Sequence, residues 1–302
     1  MEENQARNTI LSLTNDAVLK LFFANEANRP QLREFLKATT HLTDDDLKII
    51  EVHNPTLTKE NVQDKDFVVD IHLTSVTGHK IIIEMQVENH INFIERMISY
   101  SSRRYSTQLQ RGEKYTKLRE TITLIIVDFP LFDDSDDFYE HIAFRRKNGK
   151  LFTNAQQFYI MDLTKLPERL TEAMHQWGAL FKMKTEEELK VLMEKSEEMK
   201  EAGAKLLKLS ADEEARELAE IREFALWAKQ REFEAREERG IATGIEKGIE
   251  KGRMEERAKA EADKVVMIKR FLNMGLSNEE VAEGVGIDVI DVQKVRGEMK
   301  SK

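Results

Sequence analysis

Residues 68–88, VVDIHLTSVTGHKIIIEMQVE, constrain the fold more than any other stretch, because two runs rich in β-branched residues meet at a short turn ending in glycine. A three-residue loop of Val76, Thr77 and Gly78, with the glycine left-handed as a bulge, sets Ser75 opposite His79 and, further along, Asp70 opposite Glu84. That register gathers Phe67, Val69, Ile71 and Leu73 beside Ile81, Ile83, Met85 and Val87 on one apolar face. A two-residue loop shifts the pairing by one and puts apolar residues opposite polar ones, which a half-buried sheet rarely tolerates. The other face carries Asp70 beside Glu84, Val68 beside Gln86 and His72 beside Ile82, with Asp66 near Glu88 at the open end.

Two carboxylates opposed across a strand pair repel each other and weaken the sheet. A hard divalent cation such as Mg²⁺ or Mn²⁺ compensates them, since Mg²⁺ is held by one or two carboxylates plus water and a substrate phosphate. Held there, the ion polarises a phosphodiester and lowers the pKa of a bound water. Gln86 points the same way as Glu84 and is placed to orient that water or the phosphate. The plainer alternative is a pair of solvated acids on an exposed strand face.

The surrounding sequence supplies a core for this hairpin. NDAVLKLFFANEANRPQLREFLKATT has helical spacing, with Asn15 or Asp16 placed to cap it. LKIIEVHN at 47–54 and ETITLIIVDF at 120–129 read as strands, residues 91–113 as a helix, and residues 141–163 as a strand pair turning at Asn148-Gly149. Together they predict an α/β (α+β) core with a mixed central sheet flanked by helices, over residues 1–180. The chain has 302 residues and no cysteine, which removes disulfides and thiolate metal sites and suits a reducing compartment. No apolar run approaches the roughly 20 residues of a membrane span, so a soluble, cytoplasmic protein without a membrane partner is expected. The net charge of −9 argues against nonspecific adhesion to nucleic acid. Charge is local, however: Arg96, Arg103, Arg104, Arg111, Lys114, Lys117 and Arg119 follow the hairpin against a single acid, Glu113.

Beyond the core the composition becomes rich in Glu, Lys, Ala and Leu, giving a long helical C-terminal extension over residues 181–261. SADE at 210–213 reads as a capping box opening its second long helix. Gly240, Gly244, Gly248 and Gly252 predict either a weakened helix or a linker, each glycine costing about 0.8 to 1 kcal/mol in a helix. As a helix the stripe suits close packing in a homodimer or higher homo-oligomer. Residues 262–302 form three short helical pieces around Gly275, Ser277, Gly286 and Asp288, the outline of a helix-turn-helix or of a small helical cap.

An acid, a β-turn and then Glu-x-Gln before a helix resembles the PD-(D/E)XK phosphodiesterase pattern, with Gln86 where lysine is usual. More closely, NDAVLKLFF at 15–23, KDFVVDIHLTSVTGHKIIIEMQ at 65–86 and the stretch from Arg96 to Phe129 resemble the recombination-promoting nuclease (Rpn) family, also described as transposase-like. The resemblance covers roughly residues 10–165. It implies a restriction-endonuclease-like core, metal binding by Asp70 and Glu84, and catalytic roles for Asp70, Glu84, Gln86 and Asp16. It further implies DNA contacts from Arg96, with Arg103, Arg104, Arg111 and Lys114 on the same basic segment, and packing roles for Tyr100 and Tyr115. The function implied is a Mg²⁺-dependent DNA endonuclease linked to recombination or mobile elements. The alternatives are a noncatalytic DNA-binding or scaffold protein with a decayed nuclease fold, and a coiled-coil interaction protein.

Overall fold

The computed structural model describes residues 9–53, 59, 71–89 and 92–300. The first helix, α1 (Asp16–Ala24), starts where its cap dictates: the Asn15 side chain accepts hydrogen bonds from the backbone N–H groups of Ala17 and Val18 at 3.0 and 3.2 Å. Asn15 is therefore the cap, and the carboxylate of Asp16 is left for other partners. Pro30 falls in the first turn of α2 (Arg29–Thr39), where its missing N–H costs nothing.

A short strand β1 (Ile50–Val52) pairs with β2 (Ile71–Ser75), and β2 turns into β3 (Lys80–Gln86). The register is the expected one: Ile71 faces Ile83, His72 faces Ile82, Leu73 faces Ile81 and Thr74 faces Lys80. Gly78 closes the loop at φ +90°, which a side chain rarely adopts. Asp66 and Asp70 lie outside the described residues. Helix α3 (Phe93–Ser106) then crosses to β4 (Thr121–Val127), which runs parallel to β3. α3 is shorter than the expected 91–113, because the chain turns after Thr107 and passes through Gly112 at φ +91°. β5 (Tyr139–Arg145) and β6 (Leu151–Asp162) form the hairpin expected at Asn148-Gly149, with Gly149 at φ +78°. β6 inserts beside β4, giving a mixed six-stranded sheet in the order β1-β2-β3-β4-β6-β5.

The pleat of β3 divides the molecule. Ile81, Ile83 and Met85 enter the main core with Ile71, Leu73, Leu124 and the α1 residues Val18, Leu19, Phe22 and Phe23. Burying each large apolar side chain is worth about 1.5 to 3 kcal/mol, so this side anchors the sheet. On the other side Phe93 and Met97 of α3 pack on Ile125, Val127, Phe129 and Ile160. Helices α4 (Ala173–Lys182), α5 (Glu186–Met193) and α6 (Glu197–Ser210) close the main core with Trp177, Phe181, Leu189 and Leu206.

The chain separates into two compact units, Met1–Lys229 and Gln230–Lys302. Helix α7 (Glu213–Asn273) begins in the first. Its cap is Asp212, which accepts from the N–H of Ala215 at 2.9 Å, and not the Ser210 of the SADE box. Ser210 is the buried last residue of α6 and accepts from the N–H of Leu11 instead. In the second unit α7 remains helical through all four glycines of the repeat, so that stretch is a helix and not a loop. Helices α8 (Asn278–Val285) and α9 (Val289–Lys300) fold on the end of α7 around Ile268, Val281 and Val292. Ser277 forms a full capping box with Glu280, and Gly286 ends α8 at φ +70°. Among the described residues no helix is long and apolar enough to cross a membrane.

Candidate active site

Glu84 and Gln86 alternate with core residues on β3 and so project from the face that α3 partly covers. Their neighbours on β4 are Ile125 and Val127, both in the apolar cluster beneath α3. Glu84 is consequently a carboxylate held at the margin of an apolar wall, 6% exposed. Burial of that kind requires compensation by charge or hydrogen bonding.

Part of it comes from α3. Arg96, in the helix's first turns, donates from Nη2 to the Gln86 Oε1 at 3.0 Å, and the same nitrogen lies 3.9 Å from Glu84 Oε1. The guanidinium carbon stands 5.5 Å from the centre of the Phe93 ring, which steadies its position. Its buried Nε has no acceptor among the described residues. The glutamine thus fixes an arginine beside a buried carboxylate, and the arginine keeps a donor in hand.

Asp16 is placed differently. α1 packs on the core face of β2 and β3, opposite the face of Glu84. The Asp16 carboxylate is gripped by Arg222 of α7, with Nε to Oδ1 at 2.9 Å and Nη2 to Oδ2 at 2.7 Å. Arg222 is 3% exposed, and the Asn15 amide donates to the carbonyl of Ala219 nearby. Two side chains at the start of α1 are therefore tied to α7.

The expected DNA-contacting residues separate into two groups. Arg96 joins Glu84 and Gln86, while Arg104, two turns on, lines a cavity with Lys80 at the opposite end of β3. Arg103, Arg111 and Lys114 are exposed on and after the last turn of α3. Tyr100 packs against the cluster beneath α3, as expected, whereas Tyr115 is 83% exposed and packs nothing.

Three residues escape the sequence argument. Lys80 was visible in principle, since it precedes Glu84 by four positions and shares its face by strand periodicity. Lys20, one turn after Asp16, is a buried lysine in a helix otherwise read for its apolar spacing. Arg222 gave no local sign of a partner 206 positions away.

The donors suit a hard divalent ion, being carboxylate and amide oxygens in a chain without thiols. Among the described residues there is no group of three or more His, Asp or Glu side chains that could hold a metal. Glu84 is the described member of the expected pair, and Asp70 lies outside.

No curated protein and no solved structure matches the chain. The family model for the PD-(D/E)XK nuclease family transposases matches residues 13–235. That span includes α1, the whole sheet, the Glu84–Gln86–Arg96 group and the part of α7 that carries Arg222. Nucleases of this kind typically use divalent metal ions. A mixed sheet flanked by helices, a Glu-x-Gln strand under an arginine-bearing helix and a match over most of the chain agree, and the chain belongs to the PD-(D/E)XK nuclease family transposases.

Proposed function

We propose that the chain is a metal-dependent DNA endonuclease that hydrolyses phosphodiester bonds in recombination or on mobile elements. The observation that carries this reading is Arg96, fixed by Gln86 at 3.0 Å beside the buried Glu84. Asp70, which the register read from the sequence sets opposite Glu84, and Glu84 itself would hold Mg²⁺ or Mn²⁺. A divalent ion held there would supply the activation of a water and the polarisation of the phosphodiester.

The remaining functions belong to the side chains. Gln86 positions Arg96 so that its guanidinium meets the charge that builds on the phosphate oxygens, a role lysine has in the usual pattern. The water oxygen bonds to phosphorus as the bond from phosphorus to the leaving oxygen breaks, the attacking water giving a proton to solvent and the leaving oxygen taking one from it. Arg103, Arg111 and Lys114 hold the DNA backbone. Asp16, the further catalytic acid that the resemblance implies, would join the site only on release of its contact with Arg222. Copies of the chain associate through the extension, where Ile241, Ile245 and Ile249 stand exposed beside the glycines.

Supercoiled plasmid tests the reading. Cleavage by the full chain with Mg²⁺, silenced by EDTA and restored by added Mg²⁺ or Mn²⁺, is expected. Plasmid left intact by folded, metal-loaded protein overturns it. The Asp16–Arg222 pair favours a second reading, a noncatalytic DNA-binding protein in which a site acid is permanently occupied. DNA retardation without cleavage, unaltered by Asp70→Ala or Glu84→Ala, identifies that case.

A further inference from the structure

Helix α3 runs back along β3, so Arg96 near its start meets the end of the strand and Arg104 near its end meets the beginning. There an open cavity of about 450 Å³ is lined by four cations, Lys80, Arg104, Lys117 and Arg119, and one acid, Glu113, with Gly78, Thr107 and Gln108 between them. Its positive charge exceeds what surrounds it. Among the described residues Lys117 alone of the four cations has a carboxylate within ion-pair distance, Glu113 at 2.6 Å. The buried Nε of Arg104 has no acceptor there. Lys80 donates to the Thr74 hydroxyl at 3.3 Å, and Arg119 reaches the carbonyl of Thr116 at 3.5 Å.

The cations are held together at a cost. Burial pushes the Arg104 guanidinium and the Lys80 ammonium below their ordinary ranges, and the charge of Arg104 lowers Lys80 further, with Glu51 offsetting part. The scaffold nevertheless fixes them. Gln108 clips the backbone of Arg119 twice, accepting from its N–H at 2.8 Å and donating to its carbonyl at 2.9 Å. The Arg119 side chain lies across Gly78, where a Cβ would come within 3.0 Å of its Cγ. A cluster of cations built this rigidly, with Lys80 and Arg104 partly desolvated, is arranged for an anion.

We infer that Lys80, Arg104 and Arg119 form a second phosphate subsite, which grips the DNA backbone away from the phosphate at Glu84. Lys80 and Glu84 share a strand face four residues apart, about 13 Å at the usual rise. A DNA strand climbs about 3.4 Å per nucleotide, so the gripped phosphate is roughly two to four nucleotides from the one at Glu84. The inference rests on the nuclease reading for what occupies the other end, but it is tested without cleavage.

The full chain in EDTA is titrated into labelled duplexes that each carry one uncharged methylphosphonate linkage, moved stepwise along one strand. Lys80→Gln/Arg104→Gln is expected to bind the unmodified duplex about tenfold more weakly and to flatten the salt dependence by about one phosphate. One linkage position should weaken the parent about tenfold yet leave the double variant unaffected, since the pocket that reads it is gone. Lys114→Gln, outside the pocket, should flatten the salt dependence while leaving the effect of that linkage in place. Relief of cation repulsion should also raise the urea midpoint of the double variant, which separates lost binding from lost folding. Equal affinities, linkage effects that persist in the double variant at every position, or a parent that binds no DNA would overturn the subsite. Plasmid cleavage without this coupling refutes the subsite alone, and the coupling without cleavage refutes the nuclease reading alone.

Discussion

Glu120 offers a stability prediction whose size follows from its surroundings. It precedes β4 with a side chain 3% exposed, and its Oε2 lies 3.3 Å from His41 Nε2 and 3.2 Å from His79 Nδ1. Gln157 donates to its other oxygen, and the Tyr159 hydroxyl sits 2.5 Å from His41 Nδ1. Burial alone would raise the Glu120 carboxyl, but contact with His41, His79 and Gln157 outweighs it and brings the group down to about 2 from 4.5. A depressed carboxyl stabilises the fold above its unfolded pKa and loses that contribution as pH falls through the folded value. At about 1.36 kcal/mol per unit, the shift corresponds to about 3 kcal/mol. Glu120 in turn raises His41 above 6.5. That contribution is complete below 6.5 and disappears as pH rises through the raised value. Glu120→Gln keeps the shape and removes the charge, so it should cost about 3 kcal/mol near pH 6 and flatten the parent's decline as pH rises above 6.5. Urea unfolding followed by the fluorescence of buried Trp177, with exposed Trp227 replaced by phenylalanine, reads both. A variant as stable as the parent near pH 6, or one that keeps the parent's decline, would refute the reasoning.

Other perturbations have equally definite outcomes. Arg222→Met strips Asp16 of its bidentate partner in a largely buried site and should cost about 3 to 5 kcal/mol in urea unfolding, much of it recovered by adding Asp16→Asn. Arg96→Met should slow plasmid cleavage by about a hundredfold, the scale expected for one lost donor at a developing charge, and should lower the urea midpoint as well, since Glu84 loses part of its compensation. Gln86→Lys should restore part of that rate in the Arg96→Met background, and a rate left unrestored would separate the arginine from the missing lysine. Gly178→Ala places a Cβ 2.5 Å from Phe138 Cζ, and the overpacking should lower stability by about 1 to 3 kcal/mol in the same urea assay.

What could be read from the sequence was local. The hairpin register followed from strand periodicity and from Gly78 at the loop's end, both matters of a few residues, and it holds at every described pair from Ile71 to Thr74. The Asn148-Gly149 turn and the Ser277 cap followed in the same way. SADE matched a capping box as letters, but Ser210 was already committed to Leu11, 199 positions away, and Asp212 took the cap. The glycine repeat was balanced between helix and linker because propensity is a weak prior that context overrides. Within the site, Glu84 and Gln86 were legible from alternation, and Arg96 from its place in the basic segment. The Asp16–Arg222 pair and the gathering of His41, His79 and Glu120 were not, since nothing near those residues in sequence specifies a partner. Parallel pairing of β3 with β4, which sets Lys80 beside Thr121 and so His79 near Glu120, and the packing of α7 on α1 create those meetings.

The central claim is that the buried carboxylate on β3 belongs to a hydrolytic site. Cleavage of supercoiled plasmid in Mg²⁺ by the parent, by Glu84→Gln and by Glu51→Gln, a substitution at an exposed strand acid, tests it most directly. The account predicts cleavage by the parent and by Glu51→Gln, and none by a Glu84→Gln protein that remains folded and still binds DNA. Cleavage by Glu84→Gln at the parent's rate would contradict it.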